Sequence, residues 1–168
     1  SGIYNMLDSA SLVQKDNVAN TVDGTFTMQR IAHMRQNDYV YWSSPVTSFN
    51  IENISPGTPN GYKYLWIPTM FQGIGPPGNM DFGDWQGYNT GAMDIAKGYI
   101  IKGQTDHPNS SSPFSATFNG VPNNGTIGQS IERGDYTANP YSFQPNSGGD
   151  LLYITAEDDN WNLIGNPY

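Results

Sequence analysis

No stretch of the chain can sustain an amphipathic helix, and this constrains the fold more than any other feature. Wherever apolar residues approach the i, i+3, i+4, i+7 spacing, a Gly, Pro or Asn interrupts within about a dozen residues. The best helical candidate, Gly91-Ala92-Met93-Asp94-Ile95-Ala96-Lys97, is at most a turn or two long before Gly98. Gly and Pro account for 19 and 12 of the 168 residues and instead punctuate a series of short β-forming runs.

Those runs predict the strands. Residues 25–31 alternate, with Phe26, Met28 and Arg30 on one face. Residues 39–43 (Tyr39-Val40-Tyr41-Trp42-Ser43) are dense in β-formers and end at Ser44-Pro45, with Tyr41 and Trp42 on opposite faces. Residues 49–54 alternate until Ser55-Pro56-Gly57, and residues 62–67 stop at Pro68. Residues 98–102 form a short apolar run, residues 114–118 alternate, and residues 151–155 and 162–164 complete the set. Asn123-Asn124-Gly125 tolerates positive φ and predicts a tight hairpin leading to a further strand near Ile127. Short strands without intervening helices predict an all-β fold, an antiparallel β-sandwich of jelly-roll-like type. We read residues 1–168 as a single module and as a candidate part of a larger β-module. The irregular stretch at 68–90 is long enough to cover a sheet or carry a function, and two further irregular stretches lie at 104–113 and 138–149.

Charge and composition exclude several activities. With 7 Lys and Arg against 15 Asp and Glu, the net charge is −8, the wrong sign for nucleic acid, whose phosphates need clustered cations. No apolar run reaches the roughly 18 residues of a membrane helix, so membrane insertion is not expected. Cysteine is absent, which removes disulfides, thiolate metal sites and cysteine catalysis. The 4 Trp, 11 Tyr and 7 Phe supply large packing surfaces, which argues against disorder.

The candidate chemistry is sparse. Glu157-Asp158-Asp159 and the pair Asp81 and Asp84 could each supply carboxylates to a hard cation, making calcium the candidate metal, although no cofactor is required. A solvated turn explains either cluster as well. Glu occurs at 52, 132 and 157, each beside turn chemistry, and sequence gives no spatial separation for a glycosidase pair. His33 and His107 are the imidazoles, without a Gly-x-Ser-x-Gly elbow to partner them. Trp66, Trp85, Tyr88 and Asn89 are the candidate ligand-binding residues, because planar rings flanked by amides and carboxylates suit the apolar faces and hydroxyls of sugars. The competing reading makes these rings the plugs of a core poor in Leu and Val. A coplanar, exposed pair among Trp66, Trp85 and Tyr88 would favour sugar binding, and buried rings would favour a scaffold.

Several motifs taken together resemble a signature of large secreted proteins of the Bacteroidota. They are Ser11-Leu12-Val13-Gln14, Met28-Gln29-Arg30, Asp38-Tyr39-Val40-Tyr41-Trp42-Ser43-Ser44-Pro45-Val46 and Asn53-Ile54-Ser55-Pro56-Gly57-Thr58. Farther on come Ala96-Lys97-Gly98-Tyr99-Ile100-Ile101-Lys102, Phe118-Asn119-Gly120-Val121-Pro122-Asn123-Asn124-Gly125-Thr126-Ile127 and Asn162-Leu163-Ile164-Gly165-Asn166-Pro167-Tyr168. The resemblance runs in order from about residue 9 to 168 and implies a β-rich module of a long surface or secreted protein exported by the type IX secretion system. It implies an extracellular or outer-membrane-associated location, and it carries over no catalytic residue. In those relatives the chain continues past the Gly-Asn-Pro-Tyr motif, so the turn signal at 165–167 reads as an internal boundary left by truncation or processing, and the remainder of the parent polypeptide is an expected partner. No sorting domain lies within these residues.

The resulting functional expectation is a non-enzymatic module of a secreted or cell-surface protein, structural, adhesive or ligand-binding, with a glycan or surface ligand as a further partner. The first alternative is a carbohydrate-binding module attached to a polysaccharide-degrading enzyme, and the second is a hydrolase fragment. An apolar sheet face or edge is expected where a continuing half would pack.

Overall fold

The computed structural model describes residues 2–21, 23–70, 83–133 and 161–168 in full, and the backbone of 141–143 and 152–154. It is all-β and sandwich-like. The strands are β1 (Gly2–Met6), β2 (Gly24–Met34), β3 (Tyr39–Trp42), β4 (Lys63–Ile67), β5 (Asp84–Gly87), β6 (Tyr99–Lys102), β7 (Ser112–Gly120), β8 (Tyr141–Phe143) and β9 (Leu152–Ile154). A three-stranded sheet has the order β1-β2-β7, a four-stranded sheet the order β3-β6-β4-β5, and β8 pairs with β9.

The chain divides into two compact units. The first comprises Ser1–Leu65, Gly87–Gln129 and Ile164–Tyr168, and the second Trp66–Gln86 and Ser130–Leu163. The core of the first unit follows from strand parity. Phe26, Met28 and Met34 are buried on β2, and Phe114, Ala116 and Phe118 on β7. The antiparallel register sets Met28 opposite Phe118, Arg30 opposite Ala116 and Ala32 opposite Phe114, so the inward rows of both strands coincide. Trp42 of β3 packs edge-on against Phe114, with centroids 6.0 Å apart, and lies tilted at 49° to Phe118 at 6.3 Å. Phe49 adds a contact to Phe118 at 4.8 Å. Each such ring contributes about 2–3 kcal/mol by burial, and each aromatic pair about 1 kcal/mol more. Tyr41 is exposed and Trp42 buried, as their alternation predicts.

Antiparallel pairing holds for β2 with β7, β3 with β6, β4 with β6, and β8 with β9. In contrast, β1 runs parallel to β2, with Ile3 opposite Thr25 and Met6 opposite Met28. The segment between them, residues 7–23, is long enough for the crossover a parallel pair needs. Along this segment and strand, Ile3, Tyr4, Leu7, Val13 and Val18 are exposed.

Four local expectations are corrected. Residues 49–54 do not form a strand but a 3-10 turn at Ile51–Asn53. The Asn50 side chain accepts from Glu52 N at 3.1 Å and from Gly91 N at 3.3 Å, and such capping competes with a strand ladder. Residues 91–97 contain no helix: Ala92 bridges to Asn50 and Lys97 to Ile164, and Ala96 has a φ of 62°. Asn123-Asn124-Gly125 is not a hairpin leading to a strand at 127. Its side chains hold other loops instead, as described below. Residues 162–164 form a single bridge, between Ile164 and Lys97, and not a strand. β2 also runs beyond the expected 31 to Met34, placing His33 within it.

Candidate functional site

Among the described residues the buried polar side chains are Ser44, Ser55, Thr58, Lys63 and Asn123, all in the first unit. They form two groups with different surroundings.

The first group centres on Asn123. Its Nδ2 donates to Ser44 O at 3.0 Å and to Pro167 O at 2.9 Å, and its backbone N donates to Pro45 O at 2.9 Å. Ser44 Oγ donates to Val46 O at 2.6 Å, closing the Ser-Pro turn, and Val46 bridges to Pro122. Gln14 Nε2 donates to Asn123 O at 2.7 Å, and Asn124 Nδ2 reaches Asp16 O and Val18 O, each at 2.8 Å. Gly165 N donates to Ala96 O at 2.9 Å, and a Cβ at Gly165 would collide with Ser43 and with the carbonyl of Lys97. Five motifs distant in sequence therefore meet here through these hydrogen bonds, with Ser43 Oγ and Asn123 Oδ1 buried beside them without a partner among the described residues.

The second group surrounds Lys63. The alternation of β4 places Lys63 in the inward row with Leu65, opposite Ile101 and Tyr99 of β6, so a cation is carried into the interior by strand parity. It is 2% exposed. Its Nζ donates to Thr58 O at 2.8 Å. Thr58 Oγ1 donates to Lys102 O at 2.7 Å, which leaves the Ser55 hydroxyl to donate to Thr58 Oγ1, also at 2.7 Å. Ser55, Thr58 and Lys63 thus form one chain of hydrogen bonds. A cavity of about 490 Å³ opens beside it, lined among others by Glu52, Asn53, Asn60, Lys63 and Asn89. Burial pushes the Lys63 amine below its usual value, while the Glu52 carboxylate pulls it partly back. The ion pairs among the described residues are Arg35–Asp38 and Lys97–Asp94, so Glu52 acts on Lys63 from beyond 4 Å.

The sequence-predicted aromatic residues fall into different places. Trp66 and Trp85 belong to the second unit, and Tyr88 and Asn89 to the first. Trp66 is buried, and Trp85 meets it edge-on, with centroids 5.4 Å apart at 74°, so the two are not a coplanar pair. The ring stacked on Trp66 is Trp161, at 3.5 Å and 18°, whose carbonyl also accepts from Trp66 Nε1 at 3.0 Å. Gly83 lies against this cluster because a Cβ there would strike the Trp66 ring. Tyr88 packs against Tyr99 with centroids 5.5 Å apart, and its hydroxyl donates to Ala92 O at 2.7 Å. Asn89 Oδ1 accepts from Gly61 N at 2.7 Å, and Asn89 lines the Lys63 cavity. Of the four, Asn89 alone borders that cavity. Lys63 itself carried no sequence signal beyond a lysine inside a β-forming run.

Asp84 Oδ1 accepts from Trp85 N at 2.6 Å, and among the described residues no three His, Asp or Glu side chains group to hold a metal ion. Asp81, Glu157, Asp158 and Asp159 lie outside the described residues. His33 is exposed on β2. His107 is edge-on to Phe114, and its Nε2 lies 2.9 Å from Met34 O, which fixes that nitrogen as the protonated one. Among the described residues no helix is long and apolar enough to cross a membrane.

The class these features define is an all-β, sandwich-like domain with the loops of one unit tied by a buried amide, Asn123, and a polar cavity at one strand end. The chain belongs to the family described as "Domain of unknown function (DUF8693)", whose model matches residues 1–168. No curated protein and no solved structure matches it.

Proposed function

We propose that the chain is a non-enzymatic module of a secreted or cell-surface protein, with a structural or adhesive role and with further domains of the parent polypeptide as neighbours. The observation that carries this reading is the convergence on Asn123. Gln14, Ser44, Pro45, Val121, Ala96, Gly165 and Pro167 meet through backbone and amide hydrogen bonds, so the most distinctive residues of the chain maintain its architecture. The extracellular location rests on the resemblance of these same motifs to secreted proteins. Beads coated with the 168-residue chain should be retained on a mucin or cell surface above albumin-coated beads. The same preparation should leave a panel of chromogenic glycosides and esters unhydrolysed. Turnover that disappears when one carboxylate is replaced by its amide would overturn the reading in favour of a hydrolase fragment.

A second reading, a carbohydrate-binding module serving a polysaccharide-degrading enzyme, is favoured by the Lys63 cavity with its amide-rich rim. The packed Trp66, Trp85 and Trp161 rings favour the scaffold role for the second unit.

A further inference from the structure

We propose that the cavity beside Lys63 is a subsite for adjacent hydroxyls of an uncharged saccharide. This deepens the adhesive reading by naming what such a surface would hold, and it can fail while that reading stands.

The argument starts from the donors of Lys63. An ammonium carries three N–H donors, and the partner of Nζ in the structure is the single carbonyl of Thr58. Such a group, carried inward by strand parity, keeps donor capacity for whatever occupies the adjoining space. The rim supplies the complement. Asn50 holds Glu52 N at 3.1 Å and so sets the turn that places Glu52 and Asn53 at the cavity edge. Asn89 Oδ1 is engaged by Gly61 N, which orients its amide and leaves the Nδ2 donors for the cavity. Asn60 contributes a further amide.

Charge then selects the ligand class. Glu52 and Lys63 border the same cavity, so a bare anion meets the carboxylate and a bare cation meets the ammonium. A net charge of −8 disfavours anions further. A hydroxyl group uses both walls, because it accepts from Lys63 Nζ or an amide Nδ2 while donating to the Glu52 carboxylate. Neighbouring hydroxyls on a pyranose present that pattern repeatedly. The cavity, about 490 Å³, also falls within the roughly 300–1,000 Å³ typical of small-molecule sites.

The test is a titration of the 15N-labelled 168-residue chain, followed at the side-chain amides of Asn53, Asn60 and Asn89. The probes are methyl β-glucopyranoside, methyl β-galactopyranoside and N-acetylglucosamine, with acetate as the charged control. At least one neutral sugar should give saturable shifts at these amides in the millimolar range. Lys63→Met and Glu52→Gln should each weaken that binding by about tenfold. EDTA should leave it unchanged, because the walls named here include no metal-holding group. Glu52 is exposed, so Glu52→Gln decides the matter even if Lys63→Met fails to fold. The proposal is overturned if no neutral sugar saturates these amides, if acetate binds more tightly than every sugar, or if Glu52→Gln leaves binding intact. Loss of sugar binding with bead retention preserved would remove the subsite and keep the adhesive module.

Discussion

Asn123 and Lys63 are polar side chains buried to almost the same degree, 3% and 2% exposed, yet they do different work. Asn123 joins loops, with its Nδ2 bridging two carbonyls from distant segments and its backbone carbonyl held by Gln14, while its buried Oδ1 meets no partner among the described residues. Lys63 meets a single carbonyl and faces a cavity. Burial of a polar group therefore does not by itself distinguish a structural clamp from a binding group. What distinguishes them is whether the group ties distant segments together, as both Nδ2 donors of Asn123 do, or borders open space, as Lys63 does.

The contrast can be broken most sharply at Asn123. Replacing Asn123 with Ala removes both side-chain donors and leaves buried carbonyls unpaired, which should cost about 2–4 kcal/mol in urea-induced unfolding. A loss below about 0.5 kcal/mol would remove the clamp from the argument. Gly165→Ala should cost about 1–3 kcal/mol by the same measurement, because the new methyl group meets Ser43 and the Lys97 carbonyl.

Lys63→Met should change stability at neutral pH by no more than about 1 kcal/mol, since relief of desolvation offsets the lost bond to Thr58. Its pH dependence has a defined sign. Burial lowers the folded-state pKa of Lys63 below 10.5, so between that lowered value and 10.5 the unfolded chain holds the extra proton. The stability of the parent chain relative to Lys63→Met should accordingly rise as pH increases through that window. A difference that falls as pH rises toward 10.5 would contradict the buried placement of the amine.

The smallest effect at neutral pH concerns Tyr99, which is 1% exposed and accepts from Asp94 N at 2.8 Å. Burial pushes its phenol up to about 12. Below pH 10 the parent and Tyr99→Phe should differ by a constant amount. Between about 10 and 12 the unfolded phenol ionises first, so the advantage of Tyr99 should decline. Ultraviolet titration of the folded chain should show a late tyrosinate step that Tyr99→Phe removes.

Much of the first unit was readable because its strands alternate cleanly. Phe26 and Met28, and Phe114, Ala116 and Phe118, specify their inward faces by period alone. The Asn residues misled, because an Asn that caps a turn and one that would end a strand look alike in sequence. Asn50 converted an expected strand into a 3-10 turn, and Asn123 became a buried tie in place of a hairpin residue. Trp85 and Tyr88 were recognisable as packing-or-binding residues, but the partner that settled the Trp66 arrangement, Trp161, lies 95 positions away.

From the amino-acid order alone follow the all-β class, the absence of thiols, and the faces of strands that alternate between apolar and polar residues. The parity of β4 did not follow from it. In Tyr62-Lys63-Tyr64-Leu65-Trp66-Ile67 either set of alternate residues is bulky enough to face inward. Pairing with β6 selected the row containing Lys63 and Leu65, and it thereby buried a cation beside Thr58 at the edge of a cavity. Local sequence encodes the period of a strand, but its phase is chosen by which neighbour the strand must pack against.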